Sequence, residues 1–215
     1  MKNLILFGDS LFGLFDKELI DILEENISEE DMMQVGTIIF DIASNNRFFS
    51  KLYADLYSDL VNKYEIMFEI FNKNFVNFLE LFNVVEYVDP DVDYNKYCQV
   101  NKDNEKRRSL SSFFVNLVKN DVLKPEQLAE LTQKMVSQVL VLMKEENNKS
   151  QVDEYTENIF LLYDERIFSK MDETSYLVEN KTISDTIKFL ASCKVKTFPS
   201  LSNKSIFKYM DIIDA

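Results

Sequence analysis

The sequence contains no histidine and no tryptophan, and only three glycines, three prolines and two cysteines among its 215 residues. Without histidine there is no Ser-His or Cys-His nucleophile pair, no imidazole general base and no imidazole metal ligand. The glycines stand at positions 8, 13 and 36, so no glycine-rich loop further along the chain can cradle a phosphate. These absences argue against most hydrolases, zinc sites and Walker or Rossmann nucleotide sites.

The two cysteines, Cys98 and Cys193, are far apart and belong to no Cys-x-x-Cys pair, so they are interpreted as reduced thiols. The N-terminus lacks the pattern of a secretory signal, and no apolar run is long enough to cross a bilayer. We therefore expect a protein of the cytosol or nucleus, with the cytoplasm as the favoured location, and neither a metal nor a cofactor.

The net charge of −13 is distributed unevenly along the chain. Residues 1–100 hold 7 basic against 19 acidic residues, whereas residues 101–215 hold 17 against 18. An acidic first half repels a phosphate backbone and favours neutral or basic protein surfaces. RNA binding is therefore a weak expectation, confined to the second half of the chain.

Apolar residues recur three and four positions apart, which together with scarce glycine and proline predicts helices joined by short polar turns. Ser28 followed by Asp31 predicts a capping box, with a helix from about residue 29 to residue 43. Pro125 predicts another helix start, since proline in a first turn loses no helical hydrogen bond. About nine helices and no strand are expected, which is an all-α fold.

Helix lengths are predicted from the same spacing. Six phenylalanine and leucine positions between residues 68 and 82 recur at helical spacing, so the longest helix is expected there. Pro90 disfavours its continuation, and residues 91–106, a polar mixture with two tyrosines, are expected to form a loop with at most one helical turn. The helical period resumes at Arg107 and stops at Asn120 and Asp121.

The N-terminal block Gly8, Asp9, Ser10 and Leu11 resembles the opening block of the Gly-Asp-Ser-Leu esterase family, whose serine is a nucleophile. That chemistry needs an imidazole to accept the serine proton, and this sequence has none. Esterase activity is therefore not expected, and the block is interpreted as a short apolar N-terminal segment covering residues 1–14.

Several blocks of the sequence occur in the order and spacing of one helical family. They are Asn46 with Phe48, Phe49, Tyr53 and Ala54; residues 71–75; Arg107, Arg108, Ser109 and Leu110; residues 113–117 before Val122 and Leu123; and residues 139–144 before an acidic and polar turn. In these blocks the chain resembles the middle domain of eukaryotic translation initiation factor 4G. The resemblance covers about residues 15–164 and continues more weakly to residue 214.

The resemblance implies a single domain over residues 15–215, built as an α-solenoid of stacked antiparallel helical hairpins like HEAT repeats. It also implies a non-catalytic translation-initiation scaffold that binds and activates a DEAD-box RNA helicase resembling initiation factor 4A. Other subunits of the initiation complex are further expected partners. The tyrosine-containing motif for the cap-binding protein is absent, so another subunit is expected to supply cap recognition.

The predicted partner-binding residues are polar side chains at turns and helix ends. For the two arginines a structural role is weighed equally with partner contact, because arginine also bridges carboxylates and packs its stem. By contrast, Phe48, Phe49, Phe75, Phe113 and Phe114 are expected in the core. The predicted partner-binding set is Asn45, Asn46, Lys73, Asn74, Arg107, Arg108, Lys119, Asn120, Lys188, Lys204 and Lys208.

Two alternative functions remain open from the sequence. One is a small single-domain adaptor that links RNA-bound proteins to a helicase, for which the length of the chain is suitable. The other is a viral or host-directed helical interaction module that keeps the fold without helicase binding. Its support is the acidic first half and the unusual composition of residues 89–105.

Overall fold

The computed structural model describes residues 28–194 and 196–214, and within them the chain is all-α. The described residues contain nine α-helices and no β-strand, apart from an isolated antiparallel bridge between Val178 and Lys181. This confirms the predicted all-α class for the described residues. The helices are α1 (Glu29–Asn45), α2 (Ser50–Lys63), α3 (Ile66–Leu79), α4 (Tyr94–Lys119), α5 (Pro125–Leu142), α6 (Lys149–Leu162), α7 (Glu165–Phe168), α8 (Ile183–Ser192) and α9 (Asn203–Asp214).

Local sequence signals set several helix ends where they were predicted. The Ser28 hydroxyl accepts from the Asp31 amide at 3.2 Å while the Asp31 carboxylate accepts from the Ser28 amide at 3.1 Å, which completes the capping box of α1. Pro125 is the first residue of α5. Helix α4 stops at Lys119, just before Asp121 adopts a positive φ of 59°.

The expectation of a loop over residues 91–106 was wrong, because α4 begins at Tyr94 and runs for 26 residues. Asp93 caps it, since its Oδ1 accepts from the Lys96 amide at 2.9 Å, and no proline or glycine follows before Lys119. The first two turns are mostly exposed and therefore carry no apolar period that a sequence pattern could show.

Helix α4, and not the segment from residue 68 to residue 82, is therefore the longest helix in the described part of the chain. Residues 68–82, where the longest helix was expected, instead belong to the 14-residue α3 and to the 3-10 turn Glu80–Phe82 that follows it. Phe82 remains buried through that turn. The apolar spacing of residues 68–82 therefore indicates burial, but it does not show where α3 ends and the 3-10 turn begins.

The core is centred on α4, which packs against α1, α2, α5 and α6. The core around Phe40 of α1 is aromatic. The centroid of the Phe40 ring lies 5.3 Å from that of Tyr57, 5.7 Å from that of Phe71 and 5.3 Å from that of Phe113. All four side chains are fully buried. The contacts with Tyr57 and Phe113 are edge-to-face, and such contacts add to the hydrophobic gain from burying large rings.

The C-terminal helices pack pair on pair. Helix α6 contacts α5 within its own pair, and it also contacts α4 on one side and α9 on the other. Helix α5 contacts α8 in turn, and α8 packs on α9. Helix α6 therefore lies between α4 and α9 as a neighbour of both.

Three of the five phenylalanines expected in the core are buried, namely Phe75, Phe113 and Phe114. The expectation was wrong for Phe48, which is 80% exposed, and Phe49 is 36% exposed. Both belong to the 3-10 turn Arg47–Phe49 between α1 and α2, where the helical period that suggested burial does not apply.

Across the described residues, no helix is both long and apolar enough to span a bilayer. The predicted boundary after residue 14 and the block around Ser10 lie outside the described residues.

Candidate partner-binding surface

Arg107 lies in the interior of the fold, with 3% of its surface exposed. Its Nε donates to the Leu81 carbonyl at 2.8 Å, its Nη1 donates to Asn104 Oδ1 at 2.6 Å, and its Nη2 reaches the Val84 carbonyl at 3.5 Å. Desolvation lowers the pKa of Arg107, and the nearby Glu154 carboxylate partly offsets that effect. The guanidinium therefore fastens the segment after α3 onto α4 and is not presented to a partner.

Arg108, the next residue, is half-buried and reaches the same Glu154 carboxylate. Its guanidinium forms a two-pronged pair with Glu154 on α6, and its Nη1 donates to Glu105 at 2.6 Å. Glu154 is 5% exposed and also accepts from Asn158 Nδ2 at 3.0 Å. This geometry fixes α4 against α6, since two parallel hydrogen bonds constrain both position and angle.

The ion pairs continue from α6 to α9. Glu157 contacts Lys204 Nζ at 3.2 Å and Lys208 Nζ at 3.3 Å. Desolvation would raise the pKa of Glu157, but hydrogen bonds and charge from these two lysines outweigh it and hold the pKa below its usual value. We call this surface the charged stripe, and it comprises Glu105, Arg108, Glu154, Glu157, Lys204 and Lys208. Three of its members were predicted from the sequence as partner-binding residues.

A second group lies at the C-terminal end of α4. Lys119 Nζ contacts Asp164 Oδ2 at 2.8 Å, and Asn120 Nδ2 donates to Asp55 Oδ1 at 2.8 Å. Hydrogen bonds from Arg166, together with those from Lys119, hold the pKa of Asp164 well below its usual range. The pair formed by Lys119 and Asp164 joins α4 to the start of α7.

Beside this pair is a cleft of about 690 Å³. Cationic side chains of Lys119, Arg166 and Lys170 line it, and its apolar lining includes Val118 and Ile167. Three carboxylates, those of Asp121, Glu126 and Asp172, complete the rim. The cleft can therefore accept an apolar side chain between mixed charges, which is a common composition of a protein interface. We call it the α4–α7 cleft.

The other predicted residues do not join either group. Asn45 is exposed at the last turn of α1, where its Nδ2 donates to the Asp41 carbonyl at 2.8 Å, and Asn46 is the residue that ends that helix. Lys73 on α3 and Lys188 on α8 are exposed, on helices that lie apart in the fold.

Asn74 on α3 is buried at 9% exposure, and its Nδ2 finds no hydrogen-bond partner among residues 28–194 and 196–214. The structure thus presents Asn45, Lys73 and Lys188 to solvent and removes Asn74 from the surface. An unpartnered buried amide of this kind is costly to the fold.

Sequence reasoning missed the carboxylates that organise both groups, namely Glu154, Glu157 and Asp164. Only Asp164 carried a local signal, as an acidic residue in front of the short helix α7, where its Oδ1 accepts from the Arg166 amide at 3.0 Å. Glu154 and Glu157 lie in the middle of α6, and their partners stand on helices far away in sequence.

No group of three or more Cys, Asp or Glu side chains in the described part of the chain is arranged to hold a metal ion. Comparison with protein-family models, with curated proteins and with solved structures found no match to this chain. The resemblance to the middle domain of initiation factor 4G therefore stays a prediction, carried by the residues quoted for it above.

Proposed function

We propose that this chain is a non-catalytic helical scaffold that binds and activates a DEAD-box RNA helicase during translation initiation in the cytoplasm. The observation that supports it best is the packing of the α5–α6 pair against the α8–α9 pair through both layers, α5 on α8 and α6 on α9. This packing supports the proposal because stacked helical pairs that contact only their neighbours are what an α-solenoid of HEAT type requires. The named partner rests on the sequence resemblance alone.

The proposed mechanism needs a stiff surface that touches both lobes of a helicase. A scaffold activates its partner when it binds the near-closed arrangement of the lobes more tightly than the open one, because only differential affinity shifts a population. Adenosine triphosphate chemistry stays in the helicase. The ion pairs of Arg108 with Glu154, and of Glu157 with Lys204, stiffen the surface because they tie α4, α6 and α9 together.

Two surfaces are proposed for the two lobes. One lobe contacts the α4–α7 cleft, where Lys119 and Lys170 present cations beside an apolar floor. The other contacts the α9 end of the charged stripe, where Lys204 remains 59% exposed along its side chain although it pairs with Glu157. Arg107 is left out of the contact set because its guanidinium is committed to the interior.

The test is a pull-down of the purified chain with initiation helicase 4A and with unrelated DEAD-box proteins, followed by measurement of ATPase stimulation. Lys170→Glu is the test variant for the α4–α7 cleft, since Lys170 is exposed and makes no ion pair within the described residues. Lys102→Glu is the matched control, because it makes the same charge change on an exposed part of α4. We expect Lys170→Glu to weaken helicase binding at least about fivefold, or about 1 kcal/mol, and Lys102→Glu to leave it unchanged.

Absence of binding to every DEAD-box protein would refute both the helicase scaffold and the adaptor alternative. The remaining alternative, a helical interaction module without helicase binding, has one specific observation in its favour. Arg107 belongs to the block in which the chain most resembles the family, yet it serves the interior of the fold. An interior role for Arg107 is what a module that keeps the helical fold without helicase binding also needs.

A further inference from the structure

The connection between α3 and α4 exposes several large apolar and aromatic side chains close together in sequence. The exposed fractions are 63% for Val84, 52% for Tyr87, 83% for Val92 and 67% for Tyr94. We call this segment, residues 84–94, the apolar ledge. Grouped exposure of large apolar side chains marks a contact surface more often than scattered exposure does, and tyrosine is enriched at protein interfaces.

The first part of the ledge is held in place from below. Arg107 donates to the carbonyls of Leu81 and Val84, and Gln151 Nε2 on α6 donates to the Val85 carbonyl at 2.8 Å. The Val85 side chain is 1% exposed and anchors the segment in the core. The exposed side chains therefore stand on a fixed base, which lowers the entropic cost of binding a partner.

The backbone of residues 86–88, which follow the anchored Val85, is available for hydrogen bonds to a partner. Within the described residues, no backbone–backbone hydrogen bond involves Glu86, Tyr87 or Val88. These residues lie between α3 and α4, whose own backbones are hydrogen-bonded internally. An exposed run of unpaired backbone groups offers hydrogen bonds to an added extended segment, as in strand addition.

The charge around the ledge is strongly acidic. Residues 80–105 contain seven acidic and two basic side chains. Three of the acids, Glu80, Glu86 and Asp103, line one cleft of about 240 Å³ whose apolar lining includes Val84. We call it the acidic cleft. Its only cation among the described residues, Arg107, already donates to two carbonyls and to Asn104, while Glu86 also contacts Lys96 at 3.2 Å in an exposed pair.

We propose that the apolar ledge and the acidic cleft form a second interaction surface, which binds an extended basic segment of a partner protein. The segment pairs its backbone with residues 86–88 and places a lysine or arginine side chain in the acidic cleft. Tyr87 and Tyr94 contact its apolar and cationic groups. The three carboxylates of the acidic cleft attract a basic side chain, and the acidic excess of residues 80–105 repels a phosphate backbone. Arg108 and Lys204, which share a neighbouring cavity with Tyr87, are already paired with Glu154 and Glu157. The surface lies apart from the α4–α7 cleft, whereas its Glu86 and Tyr87 share a cavity with Lys204 of the charged stripe.

The test uses a fluorescein-labelled nine-residue peptide in which arginine alternates with valine, and a second peptide with glutamate in place of arginine. Fluorescence anisotropy is measured at about 0.05 M and about 0.3 M NaCl, a range over which screening of exposed charges increases strongly. We expect the basic peptide to bind, the acidic peptide not to bind, and the affinity to fall as salt rises. The Glu80→Gln, Asp103→Asn double variant is expected to weaken binding at least about fivefold, or about 1 kcal/mol.

Two controls separate this surface from general attraction to an acidic protein. Glu29→Gln with Glu30→Gln removes the same charge from exposed positions on α1 and is expected to leave affinity unchanged. Tyr87→Ala with Tyr94→Ala removes no charge and is expected to weaken binding about as much as the acidic-cleft variant, with an unaltered helical circular dichroism spectrum. Equal affinity of all variants, or stronger binding of a single-stranded RNA than of the basic peptide, would overturn the proposal. Neither result depends on whether a helicase binds.

Discussion

Replacing Arg107 with alanine is expected to destabilise the fold by about 3–5 kcal/mol. The guanidinium makes hydrogen bonds of 2.8 Å to the Leu81 carbonyl and 2.6 Å to Asn104, and each charged hydrogen bond contributes about 1.5–3 kcal/mol. In the variant, Glu154 would keep its ion pair with Arg108 but lose the charge of Arg107, whose Nη1 lies 3.9 Å from Glu154 Oε1. The buried stem adds about 0.8 kcal/mol for each methylene removed.

Added together, the lost hydrogen bonds and the lost burial of the side-chain stem exceed the expected destabilisation of about 3–5 kcal/mol. The acidic cleft reaches Arg107 from the surface, so water can enter and hydrate the groups that the variant sets free. The expected loss is nevertheless a large fraction of the free energy of unfolding of a typical protein, which is about 5–15 kcal/mol. Arg107→Lys keeps the charge but has no planar fork to reach Leu81 and Asn104 together, so an intermediate loss is expected.

The assay is equilibrium unfolding in urea, monitored by circular dichroism. With a slope of about 2 kcal/mol/M, Arg107→Ala is expected to lower the midpoint by about 2 M. Lys102→Ala, on an exposed face of the same helix, is expected to change stability by less than about 0.5 kcal/mol. A loss below about 1 kcal/mol for Arg107→Ala, with an unchanged slope, would refute the structural role assigned to this residue.

Two further outcomes are expected from the packing and the ion pairs. Gly36→Ala should destabilise by about 1–2 kcal/mol in the same urea assay, because the new Cβ would lie 2.6 Å from Ile70 Cγ2 and the overpacking outweighs the helix propensity of alanine; a more stable variant would contradict this. The pKa of Asp164 is lowered by hydrogen bonds from Arg166 and then from Lys119, so its stabilising effect is complete above about pH 4 and is lost as the pH falls further. Asp164→Asn keeps the cap on α7 but cannot titrate, so the loss of stability between about pH 4 and pH 2 should be smaller than in the unmodified chain; identical curves would show that the ion pair contributes nothing.

The helices with an apolar face and a clear end signal could be predicted from the sequence. The capping box at Ser28, the stop at Asn120 and the start at Pro125 all depend on residues within one turn of the helix end. The start of α4 could not be predicted in this way. Its first turns are exposed on most sides and so show no period, and the only local signal among the described residues is the capping residue Asp93.

The candidate surface was less predictable than the fold. Arg107 and Arg108 are adjacent in sequence and equally charged, yet one is enclosed by the segment after α3 and the other pairs across to α6. Which direction each side chain takes depends on which helix packs on which face of α4. That information is carried by contacts between residues 20 to 50 positions apart and leaves no local pattern.

The sequence by itself determined that the described chain is helical and where most helices end, because backbone hydrogen bonding, capping and apolar spacing act over a few residues. It also removed histidine-dependent chemistry through composition alone. Only the tertiary structure decided that Glu154 and Glu157 join three helices into the charged stripe, and that residues 84–94 expose several large apolar side chains. Burial and ion pairing between distant residues are properties of the packed chain, and they decide which polar side chains a partner can reach.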